Sequence, residues 1–73
     1  MTIGDCLVTE RRDGRFDVFK LSIGGVPQPI RRDISDPCLA WLLAQTKLFP
    51  NGHEVYYKHQ DDPDSAVRPY RPR

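Results

Sequence analysis

Apolar and polar positions alternate loosely from Asp5 to Glu10, where Leu7, Val8 and Thr9 predict a first β-strand. The polar run Arg11-Arg12-Asp13-Gly14-Arg15 follows. Its Asp-Gly pair predicts a hairpin turn, because both residues tolerate positive φ. Phe16 to Ile23 reads as the second strand. Phe19, Leu21 and Ile23 share one face, and Phe16 and Val18 share the other. Either a bulge near the turn turns both sets inward, or both faces are partly covered.

Gly24-Gly25 marks a second turn. Pro27 and Pro29 lack ladder donors, so Val26 to Ile30 reads as an edge strand or an extended connection. Ser35 or Asp36 can cap a helix that enters at Pro37. The spacing predicts a helix from there through Lys47 to about Leu48. Leu39, Leu42, Leu43 and Thr46 form its apolar stripe, flanked by Cys38, Trp41 and Gln45. Phe49-Pro50-Asn51-Gly52 ends it. His53 to His59 is the last strand, with Val55 and Tyr57 on one face and Glu54, Tyr56 and Lys58 on the other. The pattern predicts an α+β fold in the order ββ(β)αβ, a three- or four-stranded antiparallel sheet with one helix on one face.

Periodicity stops at His59. Residues 1–59 read as a single α+β domain, and 60–73 as a charged, Pro- and Arg-containing C-terminal tail with little to pack. Composition narrows the class without changing this picture. The chain has 73 residues, 29% charged and 38% hydrophobic, too apolar for full disorder. Its apolar runs fall far below the ~20 residues of a membrane span. Eleven basic against ten acidic side chains leave a net charge of +1, smaller than the excess of dedicated nucleic-acid binders. The start at Met1 shows no basic segment followed by an apolar one, which predicts a cytoplasmic protein. Cys6 and Cys38 then read as buried thiols, bridged only if strand and helix bring their Cα atoms within about 7 Å.

Candidate chemistry is sparse. Cys6, Cys38, His53 and His59 supply four metal-ligand types. On an extended strand the two histidines stand ~20 Å apart, whereas ligands of one ion lie within about 4 Å of each other. A cysteine nucleophile at Cys38 lacks an orienting third group. Asp61, Asp62 and Asp64 miss the glycine and glutamate offsets of a calcium loop. We therefore expect no metal, no cofactor and no enzymatic activity.

Candidate binding residues are clearer. Arg11, Arg12 and Arg15 cluster at the hairpin tip, with Arg31 and Arg32 after the edge segment; guanidinium groups there could grip phosphate or carboxylate, although Asp13, Asp17 and Asp33 are interleaved. Arg68-Pro69-Tyr70-Arg71-Pro72-Arg73 favours polyproline II, which can dock in an aromatic groove or follow a phosphate backbone. A one-helix sheet has a single core, so at least one large aromatic among Trp41, Tyr56 and Tyr57 is expected to be exposed, and such residues anchor interfaces. The expected function is a non-enzymatic module that binds another protein through Arg11, Arg12, Arg15, Trp41, Tyr56, Arg68, Tyr70 and Arg71. A regulator or inhibitor of phage or bacterial type fits by fold analogy alone. A homodimer through the sheet edge or the free sheet face is a further option. The alternative is nucleic-acid binding, with the hairpin arginines and the Arg/Pro tail on phosphates and Tyr70 or Tyr56 stacking.

Overall fold

A computed structural model of the chain describes residues 3–22, 24–46 and 54–70. Three strands come first: β1 (Cys6–Glu10), β2 (Phe16–Leu21) and β3 (Pro27–Ile34). Helix α1 (Pro37–Thr46) follows, then β4 (Val55–His59), a 3₁₀ turn at Asp64–Ala66 and β5 (Arg68–Pro69). The strands form one sheet in the order β3-β2-β1-β4-β5. The α+β class matches the sequence pattern. The sheet differs in having five strands and in being mixed, because β4 lies parallel to β1. The hairpin strands already occupy one side of β1. A helical crossover returns the chain on the other side, and such crossovers join parallel strands.

The first hairpin closes through Arg11–Arg15. The Gly14 amide donates to the Arg11 carbonyl at 3.0 Å, and the Arg11 amide donates to the Arg15 carbonyl at 2.7 Å. Only Gly14 takes positive φ, at 83°, while Asp13 keeps negative φ. The turn therefore uses the glycine for its left-handed residue. The aspartate acts differently: its Oδ1 accepts the Arg15 amide at 3.0 Å.

β3 is the edge strand that its prolines predict, and it is longer than expected, taking in Arg31 and Arg32. It keeps pace with β2 through two register shifts, one between Phe16 and Val18 and one between Val18 and Phe19. Asp33 sits in the first of these with φ 60°. Its amide donates to Asp17 Oδ1 at 3.1 Å, so a carboxylate takes the place of the missing ladder carbonyl.

At the helix entry Asp36 is the cap, its Oδ1 accepting the Cys38 amide at 2.9 Å. The buried face of α1 corrects the leucine stripe. Ala40 and Ala44 are fully buried, Trp41 and Leu43 pack beside them, and Leu39 and Leu42 face solvent. Thr46 is exposed as well. Small residues bring the helix axis close to the sheet, and the flanking Trp41 and Leu43 then both reach apolar surface. Beneath the helix lie Cys6, Val8, Phe16, Val18, Ile34 and Val55. Among the described residues no disulfide forms: Cys6 is in this core and Cys38 is exposed. Cys38 thus departs from the expected burial, because it sits on the side of α1 that carries Leu39 and Leu42. The expected helix end at Lys47–Leu48 and His53 lie outside the described residues.

The segment after His59 packs more than expected. β5 pairs antiparallel with β4, matching Tyr56 with Pro69 and Tyr57 with Arg68. The Tyr70 amide donates to the Val55 carbonyl at 2.9 Å, and its ring joins the core margin. One tyrosine with an apolar body suffices to dock a short strand that shows no periodicity.

Candidate functional site

The hairpin arginines come together with acids. Arg11 forms ion pairs with Asp13 at 2.6 Å, with Asp33, and with the buried Asp17 at 3.4 Å. Hydrogen bonds that Arg11 donates to Asp13 and Asp33 raise the Arg11 pKa, and Arg11 in turn holds Asp13 below the usual carboxylate range. Arg12 donates from Nε to both carboxylate oxygens of Asp61, at 2.8 and 2.9 Å, and its amide donates to Gln60 Oε1 at 2.8 Å. That pair depresses Asp61. The tip is therefore clamped to the β3 bulge on one side and to the β4 exit on the other. Arg15 and Arg31 are exposed. Arg32 reaches toward Asp17 at 3.9 Å and lies over the Phe19 ring at 5.9 Å.

A second group forms where β5 meets the helix entry. Tyr57 and Tyr70 stack with ring centroids 5.1 Å apart, and the Arg68 guanidinium lies 4.9 Å from the Tyr57 ring centre. The Tyr57 hydroxyl donates to Glu10 Oε1. Burial, reinforced by that hydrogen bond, pushes the Tyr57 pKa up to about 12. Burial also raises Tyr70. These residues line an open cavity of about 500 Å³ with Phe16, Pro37 and Pro69. Arg68 and Tyr70 thus meet Tyr57, and they stand apart from the hairpin arginines. Arg71 lies outside the described residues.

Among the described residues two apolar surfaces are partly exposed. The first is the sheet face opposite α1. Strand register lines up Pro29, Phe19, Leu7, Tyr56 and Pro69 in one row across all five strands. Leu7, Phe19 and Tyr56 are half-buried, and a shallow depression of about 310 Å³ lies over Leu7, Phe19, Pro27 and Lys58. The second is the outer side of α1, where Leu39 is 45% exposed and Leu42 53%. Trp41, half-buried at the margin of that side, carries a buried Nε1 with no acceptor among the described residues.

Tyr56 and Trp41 therefore sit on opposite sides of the molecule. The sequence pattern set Phe19 opposite Val18 and left both faces open to burial or partial cover, did not single out Leu7, and put Leu39 and Leu42 on the apolar stripe of the helix. The period-2 offset of Leu7 and Phe19 from Val8 and Val18 carried the first signal. No signal separated the leucine side of the helix from the alanine side.

Among the described residues no group of His, Cys, Asp or Glu is placed to hold a metal ion, and no helix is long and apolar enough to cross a membrane. Comparison with protein-family models, curated proteins and solved structures finds no match.

Proposed function

We propose that this chain is a non-enzymatic interaction module that binds another protein through the outer side of α1. The exposure of Leu39 and Leu42 supports the reading. Two leucines at i and i+3 on a helix are the anchors of helix-in-groove recognition, in which an amphipathic helix lays its apolar side into a partner's groove. Trp41, half-buried at the margin, adds an aromatic ring. A regulator or inhibitor needs no more than such a surface.

Binding to nucleic acid draws less support. Arg11 and Arg12 are engaged by aspartates, and one face of the Tyr70 ring is covered by Tyr57. The test is capture from a lysate of the source organism by immobilised wild-type chain and by Leu39→Glu and Leu42→Glu variants. The reading expects a protein partner that survives nuclease treatment and is lost with either variant. Capture that nuclease abolishes, together with oligonucleotide retention at low salt, would sink it.

A further inference from the structure

We infer that the open face of the sheet is covered by a second copy of this chain, stacked face to face. This goes beyond the helix reading, because a dimer built this way leaves both copies of α1 on its outer surfaces.

The sheet edges are poorly suited to self-association. β3 carries Pro27 and Pro29 and is bent by its bulges, and β5 is short and contains Pro69. Proline removes ladder donors and blunts edge pairing. The open face offers a route between copies that needs no edge pairing.

That face is self-complementary. Its row reads proline, aromatic, leucine, aromatic, proline from β3 to β5. A two-fold axis running along β1 between stacked sheets lays the row over its own reverse. Leu7 meets Leu7 of the second copy, Phe19 meets Tyr56, and proline meets proline. Isologous contacts of this kind close at two copies. The charges agree with the same axis. Arg32 leans over Phe19 at the β3 side. Asp64 borders the same face at the β5 side, beside Lys58 at 3.2 Å. The axis carries each Arg32 toward Asp64 of the second copy, twice per dimer.

The area reaches the range of specific interfaces. Strands of two to eight residues at about 3.3 Å rise and about 4.8 Å spacing make a sheet of roughly 400 Å². Principal extents of 30 × 24 Å bound the face at about 700 Å². Two copies then bury about 800–1,400 Å², a span that includes the roughly 1,000 Å² a specific interface needs and reaches its standard range. The monomer also has a motive. Its fully buried side chains are small, the largest being Val8, Val18, Val55 and Cys6, and short chains with small cores commonly add a partner chain.

The experiment is sedimentation equilibrium of the full chain from micromolar to millimolar concentration, with circular dichroism to verify folding. Wild type is expected to pass from one to two copies, with a dissociation constant in the micromolar range. Arg32→Asp and Asp64→Arg alter exposed side chains and should each weaken dimerisation tenfold or more, and their combination should restore it. Phe19→Ser should remain a monomer. A wild type that stays monomeric throughout overturns the proposal. So does a dimer indifferent to all these substitutions, or a mass that climbs beyond two copies and collapses with Leu42→Glu. That last result would mean that the helix of one copy sits on the sheet of the next.

Discussion

Beneath α1 the fully buried residues are small: Cys6, Val8, Val18 and Val55 from the sheet, Ala40 and Ala44 from the helix. On the opposite face the residues that alternate with them along the strands are large: Leu7, Phe19 and Tyr56, in register with one another and each partly in solvent. The helix can approach the sheet closely because the near side is small. Leu7, Phe19 and Tyr56 lie on the far side, where the described residues leave them half-buried. Packing and binding are thus divided between the two faces of the same strands.

The sharpest way to break this contrast is one substitution made on both faces of β2. Phe16→Ala opens a cavity under the helix and should cost about 3–5 kcal/mol, enough to unfold a domain of this size. Phe19→Ala removes a half-buried ring from the open face and should cost the monomer about 1 kcal/mol. Urea unfolding at low protein concentration measures both. Equal losses would show that the two faces are equally part of the core. Repeating the Phe19→Ala melt at high concentration sharpens the contrast, because a dimer adds stability by mass action that this variant lacks.

A smaller effect is expected at Asp17, which is 4% exposed and joins the two faces at the bulge. Its carboxylate accepts the Asp33 amide and pairs with Arg11 and Arg32. Asp17→Ala leaves the part-buried Asp33 amide without this acceptor and should cost about 1–3 kcal/mol. It should also free Arg32 from one of its anchors over Phe19. Amide exchange at Asp33 provides the direct readout: protection lost there while the core stays protected is the expected result.

Much of this division was readable in the sequence. The Asp13-Gly14 turn, the two prolines of β3 and the Asp36-Pro37 helix entry each name their structure through local chemistry. Opposite facing of Val18 and Phe19 followed from the strand period. What was not readable depends on contacts distant in sequence. Which side of α1 meets the sheet was decided by Ala40 and Ala44 fitting against Val8 and Val18, and a leucine-weighted pattern points the other way. β5 forms because Tyr70 finds Tyr57, and no periodicity in a two-residue strand announces that. The arginine cluster looked cationic because its neutralising partner Asp61 lies far along the chain from Arg12.

That clamp gives the next prediction. Arg12→Ala releases the hairpin tip from the β4 exit through a solvent-exposed pair, so its effect should be smaller than that of Asp17→Ala and should fade in about 1 M salt. Chemical shifts that move only near Gln60 and Asp61 are the expected signature. A change spread across the open face would mean that the tip braces the whole sheet.

The last effect is a dependence on alkaline pH from the tyrosines at the covered edge. Burial and the hydrogen bond to Glu10 favour the neutral Tyr57 phenol, moving its pKa from 10.0 to about 12. Tyr70 shifts in the same direction, chiefly through burial. A folded pKa above the unfolded one means that the unfolded chain loses its proton first as pH rises. The stabilising contribution is therefore complete below pH 10 and is lost as pH climbs through about 12. Ionisation places a phenolate beside Glu10, against the repulsion of like charges. β5 should detach first, since it is held by Tyr70 against Tyr57 and by one short strand pairing. Absorbance titration of tyrosinate, compared with urea midpoints between neutral and strongly alkaline pH, measures this, with Tyr57→Phe as the reference. The variant should be less stable at neutral pH, lacking the Glu10 bond, and flatter across the alkaline range. A Tyr57→Phe variant that keeps the full alkaline slope would move the effect onto other groups and leave the clamp on β5 to packing alone.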